Sequence, residues 1–148
     1  MRRLAIAVFL VALASAYGDA KDETVAELKS RVDGARVEDR ADLCMQIARQ
    51  QLRNADKLFN DGSVEQANAA VDDIVVYSEK ARDAATQTKK HLKNVEIDVR
   101  KIAEKLRDIK RTLAFDDQAP VEAAIRRLED VRTSLLKEMF ANDKKEKK

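Results

Sequence analysis

Residues 64–113, VEQANAAVDDIVVYSEKARDAATQTKKHLKNVEIDVRKIAEKLRDIKRTL, contain neither glycine nor proline and keep one apolar register from end to end. The register runs Val64, Ala67, Val71, Ile74, Ser78, Ala81, Ala85, Thr88, Leu92, Val95, Val99, Ile102, Leu106, Ile109, Leu113. Its steps of three and four residues average 3.5, the repeat of a helix that packs a single seam in coiled-coil fashion. The spacing predicts one continuous helix, which at about 1.5 Å per residue reaches roughly 75 Å. The middle of the seam is small and polar, at Ser78, Ala81, Ala85 and Thr88, so a bend within residues 86–90 is the competing reading.

Outward from this segment, further helices fold back on it. Upstream, Asp61-Gly62 is a stop signal, and Ser63 with Gln66 has the spacing of a capping box. A helix from about Glu38 to Asn60 precedes the stop, with Ala41, Met45, Ala48, Leu52, Ala55 and Phe59 on one face. So short a turn requires an antiparallel hairpin. Leu52, Phe59, Val71 and Ile74 are expected to form one core across it. Before that, Thr24 and Glu27 form a second capping box, which opens a short helix carrying Val25, Leu28 and Val32 that ends at Asp33-Gly34.

Downstream, Asp116-Asp117 signals a turn, and Pro120 suits a first helical position, where its missing N–H costs nothing. The last helix, to about Ala141, buries Val121, Ala124, Ile125, Leu128, Val131, Leu135 and Met139 against residues 92–113. The expected fold is all-α: antiparallel helical hairpins around a long central heptad-patterned helix, forming an extended three-helix or four-helix bundle.

The ends of the chain read differently. Arg2 and Arg3, the apolar run Leu4 to Ala14 and the small-residue site Ala14-Ser15-Ala16 have the order of a secretory signal peptide. Residues 1–16 are therefore expected to be removed, 17–141 to form a single helical domain, and 142–148 to be a disordered basic tail. The run is too short to span a membrane, so no integral span is expected after cleavage, and the location is periplasmic or extracellular. The chain has 29 Lys and Arg against 27 Asp and Glu, and the leader holds two arginines and no acid. The processed protein is thus neutral, which argues against nucleic acid as a partner.

Ala55, Leu58, Phe59, Gly62, Ala67 and Val71 resemble the hairpin of a tetratricopeptide repeat, in which small residues let two helices approach around a glycine turn. The likeness covers one partial repeat, without the opening aromatic or the closing proline, and no second copy follows near 34 residues on. The whole chain also looks like exported bacterial all-helical proteins. That resemblance implies hairpin architecture and no activity.

Chemistry-bearing residues are sparse. His91 and Cys44 are the only histidine and the only cysteine, too few for a His/Cys metal site, and no cofactor is expected. His91 reads as a solvated surface residue. Cys44, among Leu43, Met45 and Ile47, reads as a half-buried helical thiol, with an intermolecular disulfide as the sharper alternative. Asp72-Asp73 and Asp116-Asp117 lack the alternation and central glycine of a calcium loop and read as solvated helix acids and a turn cap. Glu96 to Arg100 is an expected ion pair within a helix.

No nucleophile or base is set beside an orienting group, so the chain reads as non-enzymatic. The expected function is an exported helical scaffold or a protein- or peptide-binding module. Its partner, another protein or a second copy, would lie along the seam Ser78, Ala81, Ala85 and Thr88. The alternative is an envelope-stress or small-ligand or cation-binding protein using the acidic surface. The intact mass of the exported protein should correspond to a chain beginning at or near Tyr17; retention of residues 1–16 would mean an uncleaved anchor.

Overall fold

A computed structural model describes residues 23–146. The leader with its Ala14-Ser15-Ala16 site lies outside these residues, as do Lys147 and Lys148 of the tail. The described chain is all-α: α1 Val25–Gly34, α2 Val37–Asn60, α3 Val64–Thr88, α4 Leu92–Thr112, a single 3-10 turn Phe115–Asp117, and α5 Gln118–Glu146.

Helix α1 starts where its capping box requires. Thr24 Oγ1 accepts from the Glu27 N–H, and the Glu27 carboxylate accepts from the Thr24 N–H. Its buried Leu28 and Val32 hold it against the α2/α3 hairpin, each stabilising by about 1.5–3 kcal/mol. Lys29 reaches across to Asp73 at 2.6 Å, and the same carboxylate oxygen accepts from Gln51 on α2. Asp73 therefore ties three helices together, while Asp72 is exposed.

The seam expected as one helix is two. Helix α3 ends at Thr88 and α4 begins at Leu92, so the competing reading of a break near residues 86–90 prevails. Lys89 and His91 take left-handed backbone conformations, with φ of 58° and 64°, in the region that L-residues enter at a cost of about 1–2 kcal/mol. The Thr88 hydroxyl donates to the Ala84 carbonyl and accepts from the Lys90 N–H, offering the backbone an alternative to continued helix. Both halves of the seam are apolar faces, as read. Their common phase arises because the three-residue turn fills the same interval as the three residues between two seam positions.

The reversal stacks two hairpins, α2/α3 and α4/α5. Asp42, Arg49 and Asp56 of α2 pair with His91, just before α4, and with Asp98 and Lys105 of α4, each 49 positions further along the chain, so these helices run parallel. Glu79 to Arg127 and Lys89 to Glu138 set α3 parallel to α5 in the same way. Partly exposed pairs contribute little each. Their signs nevertheless alternate, and sliding α4 by seven residues would set Asp42 against Asp98 and Arg49 against Lys105. The pairs discriminate against wrong register while the apolar interior stabilises.

Val121, Ala124, Ile125, Leu128, Val131 and Leu135 are buried as read, with Met139 packed at the core's edge. Helix α2 buries more than its expected stripe, adding Leu43, Cys44 and Ile47, because α1, α3 and α4 contact it from three sides. Val71 and Ile74 are core residues, whereas Leu52 and Phe59 are only partly buried against them.

Three local readings are corrected. Ser63 makes no side-chain cap. Helix α5 begins at Gln118, which leaves Pro120 within the first turn rather than at its first position, still where backbone N–H groups lack intrahelical partners. The stretch 142–146, expected to be a disordered tail, continues α5. The fold-back is checked by spin labels at positions 76 and 107. A continuous helix would hold them about 45 Å apart, whereas packed antiparallel helices place them within on the order of 20 Å.

Candidate partner-binding surface

The structure does not leave the seam Ser78, Ala81, Ala85 and Thr88 open. Ser78, Ala81 and Ala85 have no solvent exposure, and Thr88 is half-buried with its hydroxyl committed to the turn. Small side chains there serve close approach of helices within one chain. The partner groove expected at this seam is filled by the protein's own core.

Cys44 lies deeper than expected, 1% exposed, although it borders a surface groove beside Arg40 and Lys80. Burial pushes its thiol from 9.0 up to about 11, with Lys80 and Arg40 acting in the opposite direction. A neutral, enclosed sulfur is a poor nucleophile and a poor disulfide partner. His91 is not a freely solvated residue: it is half-buried, with Nδ1 3.5 Å from Asp42 Oδ1. Asp116 and Asp117 sit in the 3-10 turn, as expected of turn acids. Among the described residues no three His, Cys, Asp or Glu side chains gather closely enough to hold a metal ion. No described helix is long and apolar enough to cross a membrane.

The sides of the bundle are laced by ion pairs. Across α4 and α5, Lys110 pairs with Glu122, Arg107 with Glu129 at 2.5 Å, and Arg132 with the buried Glu96 at 2.8 Å. Arg100, the expected partner of Glu96, stands farther away at 3.9 Å. Hydrogen bonds from Lys110 and Lys89 hold the carboxyls of Glu122 and Glu138 below the usual range. These pairs line the face where α4 meets α5.

The two poles differ. Among the described residues the exposed large apolar side chains are Phe115, Phe140 and, marginally, Val76. Phe115, 86% exposed, stands on the α4–α5 turn beside Asp116 and Asp117. The α2–α3 turn, with exposed Asp61 and Glu65, lies at the same pole and adds Lys57 as a counter-charge.

Phe140, 63% exposed, stands near the far end of α5 at the opposite pole. It lines a groove of about 470 Å³ with Met139, Lys93, Lys89 and Asp143. Lys144 and Lys145 follow on α5, exposed. Lys89 is tied to Glu138, whereas Lys93, Lys144 and Lys145 form no ion pair with residues 23–145. This pole, an exposed aromatic side chain among lysines with Asp143 at its edge, is the candidate site. Sequence reading assigned Lys144 and Lys145 to a tail and did not single out Phe140; its departure from the buried face of the last helix was the available signal.

Native Cys44 should resist Ellman's reagent at about pH 8 and react only on denaturation, and non-reducing electrophoresis should show no linked dimer. A thiol raised in the folded state stabilises below its ordinary value of 9.0, so stability should fall as pH climbs from there toward about 11. Rapid native labelling would contradict the buried placement.

Comparison with family models, curated proteins and solved structures finds no match for this chain.

Proposed function

We propose that this protein is a non-enzymatic, exported helical scaffold that binds an acidic segment of a protein at the Phe140 pole. The observation that carries the reading is Phe140 itself, a large apolar side chain 63% exposed where the other bulky apolar residues of α5 are wholly or partly buried. An aromatic anchor within a charged rim is the common composition of a binding hot spot. Lys93, Lys144 and Lys145 favour a partner carrying Asp or Glu beside its own apolar residue. Export follows from the leader, which directs such a scaffold to the periplasm or the extracellular medium.

The cation-binding alternative has less behind it: Asp73 is committed to Lys29 and Gln51, and no three acidic, histidine or cysteine side chains cluster among the described residues. Selection of displayed peptides on the immobilised protein tests the proposal. Enriched peptides should pair an aromatic or aliphatic residue with two or more acids, and Phe140→Ser should remove the enrichment. Equal enrichment on the variant, or none on either protein, would overturn it.

A further inference from the structure

We infer that the acidic segment recognised at the Phe140 pole belongs to a second copy of this chain, namely its Phe115 pole, so that copies associate head to tail. The inference rests on the reading of the Phe140 pole as a binding surface and adds the identity of its partner. One pole offers an aromatic side chain beside Asp116 and Asp117, with Asp61, Glu65 and the single counter-charge Lys57 on the neighbouring turn; at the other, Phe140 stands with Lys93, Lys144, Lys145 and the acid Asp143, while the mixed charges Asp33, Arg36, Asp39 and Arg40 of the α1–α2 turn lie at the same end. Phe115 with its acids has the composition that the Phe140 pole is suited to bind. Contact of Phe140 with Phe140 would bring Lys144 and Lys145 of two copies together, and contact of Phe115 with Phe115 would do the same for Asp116 and Asp117.

The poles lie at opposite ends of one bundle. Helices α2 and α4 run together toward the Phe115 pole, and α3 and α5 run together toward the Phe140 pole, as the Asp56–Lys105 and Lys89–Glu138 pairs record. A contact between unlike poles is heterologous and does not close on itself, so it propagates along the bundle axis. Helices about 10 Å across give a four-helix end face of about 400 Å². That is roughly half of the ~800 Å² per partner typical of stable complexes. Association is therefore weak, concentration-dependent and sensitive to salt, since its charges are exposed.

Sedimentation velocity and light scattering of the exported protein, from about 10 µM to about 1 mM at low ionic strength, decide the matter. The average mass should grow past the dimer with concentration, and about 0.5 M salt should weaken association at least tenfold. Phe115→Ser and Phe140→Ser each leave one pole intact and should each weaken self-association at least tenfold, with helical circular dichroism unchanged. An equimolar mixture of the two variants has one competent pair of poles and should form a dimer and nothing larger. Growth that stops at the dimer in the unaltered protein, association surviving in either variant alone, or a monomeric mixture would overturn head-to-tail contact. If the protein stays monomeric while peptide selection still yields acidic, aromatic sequences dependent on Phe140, only the identity of the partner is wrong. If selection fails as well, the Phe140 pole is not a binding surface.

Discussion

Three residues without a glycine among them, Lys89, Lys90 and His91, carry the chain from α3 into α4, and the packing of the second hairpin on the first depends on that reversal. Two of them occupy left-handed backbone conformations, which cost an L-residue about 1–2 kcal/mol each in local strain. Such conformations persist where the surroundings over-determine them. Here Thr88 bonds both sides of the break, Lys89 is drawn to Glu138 on α5, Lys90 to Glu38 and His91 to Asp42 on α2. The apolar face from Leu92 to Ile109 is buried only because the chain turns back there.

The core that rewards the reversal is built largely from small side chains. Ala41, Ala48 and Ala55 on α2 and Ala67, Ala81 and Ala85 on α3 are all fully or almost fully buried. Small residues let helix backbones approach closely and gain dispersion contacts at native packing density. The larger volumes of Met45, Ile47, Ile74, Ile102, Leu106, Leu128 and Leu135 are placed where hairpin meets hairpin or helix meets helix in the interior. With few aromatic residues to fill gaps, specificity falls to charge. Glu96, only 8% exposed, is matched by the Arg132 guanidinium, and a carboxylate so placed tolerates little misregistration of α4 on α5 because an unpaired buried charge is strongly destabilising.

This division of labour shapes the surface. Ion pairs spanning neighbouring helices line the sides of the bundle. Ion pairs reach the α3–α4 turn too, where Lys89, Lys90 and His91 meet Glu138, Glu38 and Asp42, but they leave the aromatic side chains at the two ends uncovered. Phe115 and Phe140 are exposed there, one among acids and one among lysines. Small net charge thus coexists with local charge of opposite sign beside the two exposed aromatics.

Much of this fold is legible in the residues. The all-α class, the Thr24 capping box, the Asp61-Gly62 turn and the buried face of α5 follow from spacings and propensities of the chain alone, because each is fixed by interactions within a few residues. The break after Thr88 was legible only as an alternative. Periodicity records which residues face inward and is blind to a turn whose length matches the interval between seam positions. The fate of Ser78, Ala81 and Ala85 was likewise a tertiary matter: small residues on a seam fit an open groove or a close helix contact equally well, and only the position of the other helices decided for the core. The unlike poles also required the assembled bundle. Phe115 and Phe140 take their nearest charges from their own segments, Asp116 and Asp117 beside one and Lys144 and Lys145 beside the other, but only the stacking of hairpins sets them at opposite ends and adds Asp61, Glu65 and Lys93 from elsewhere in the chain.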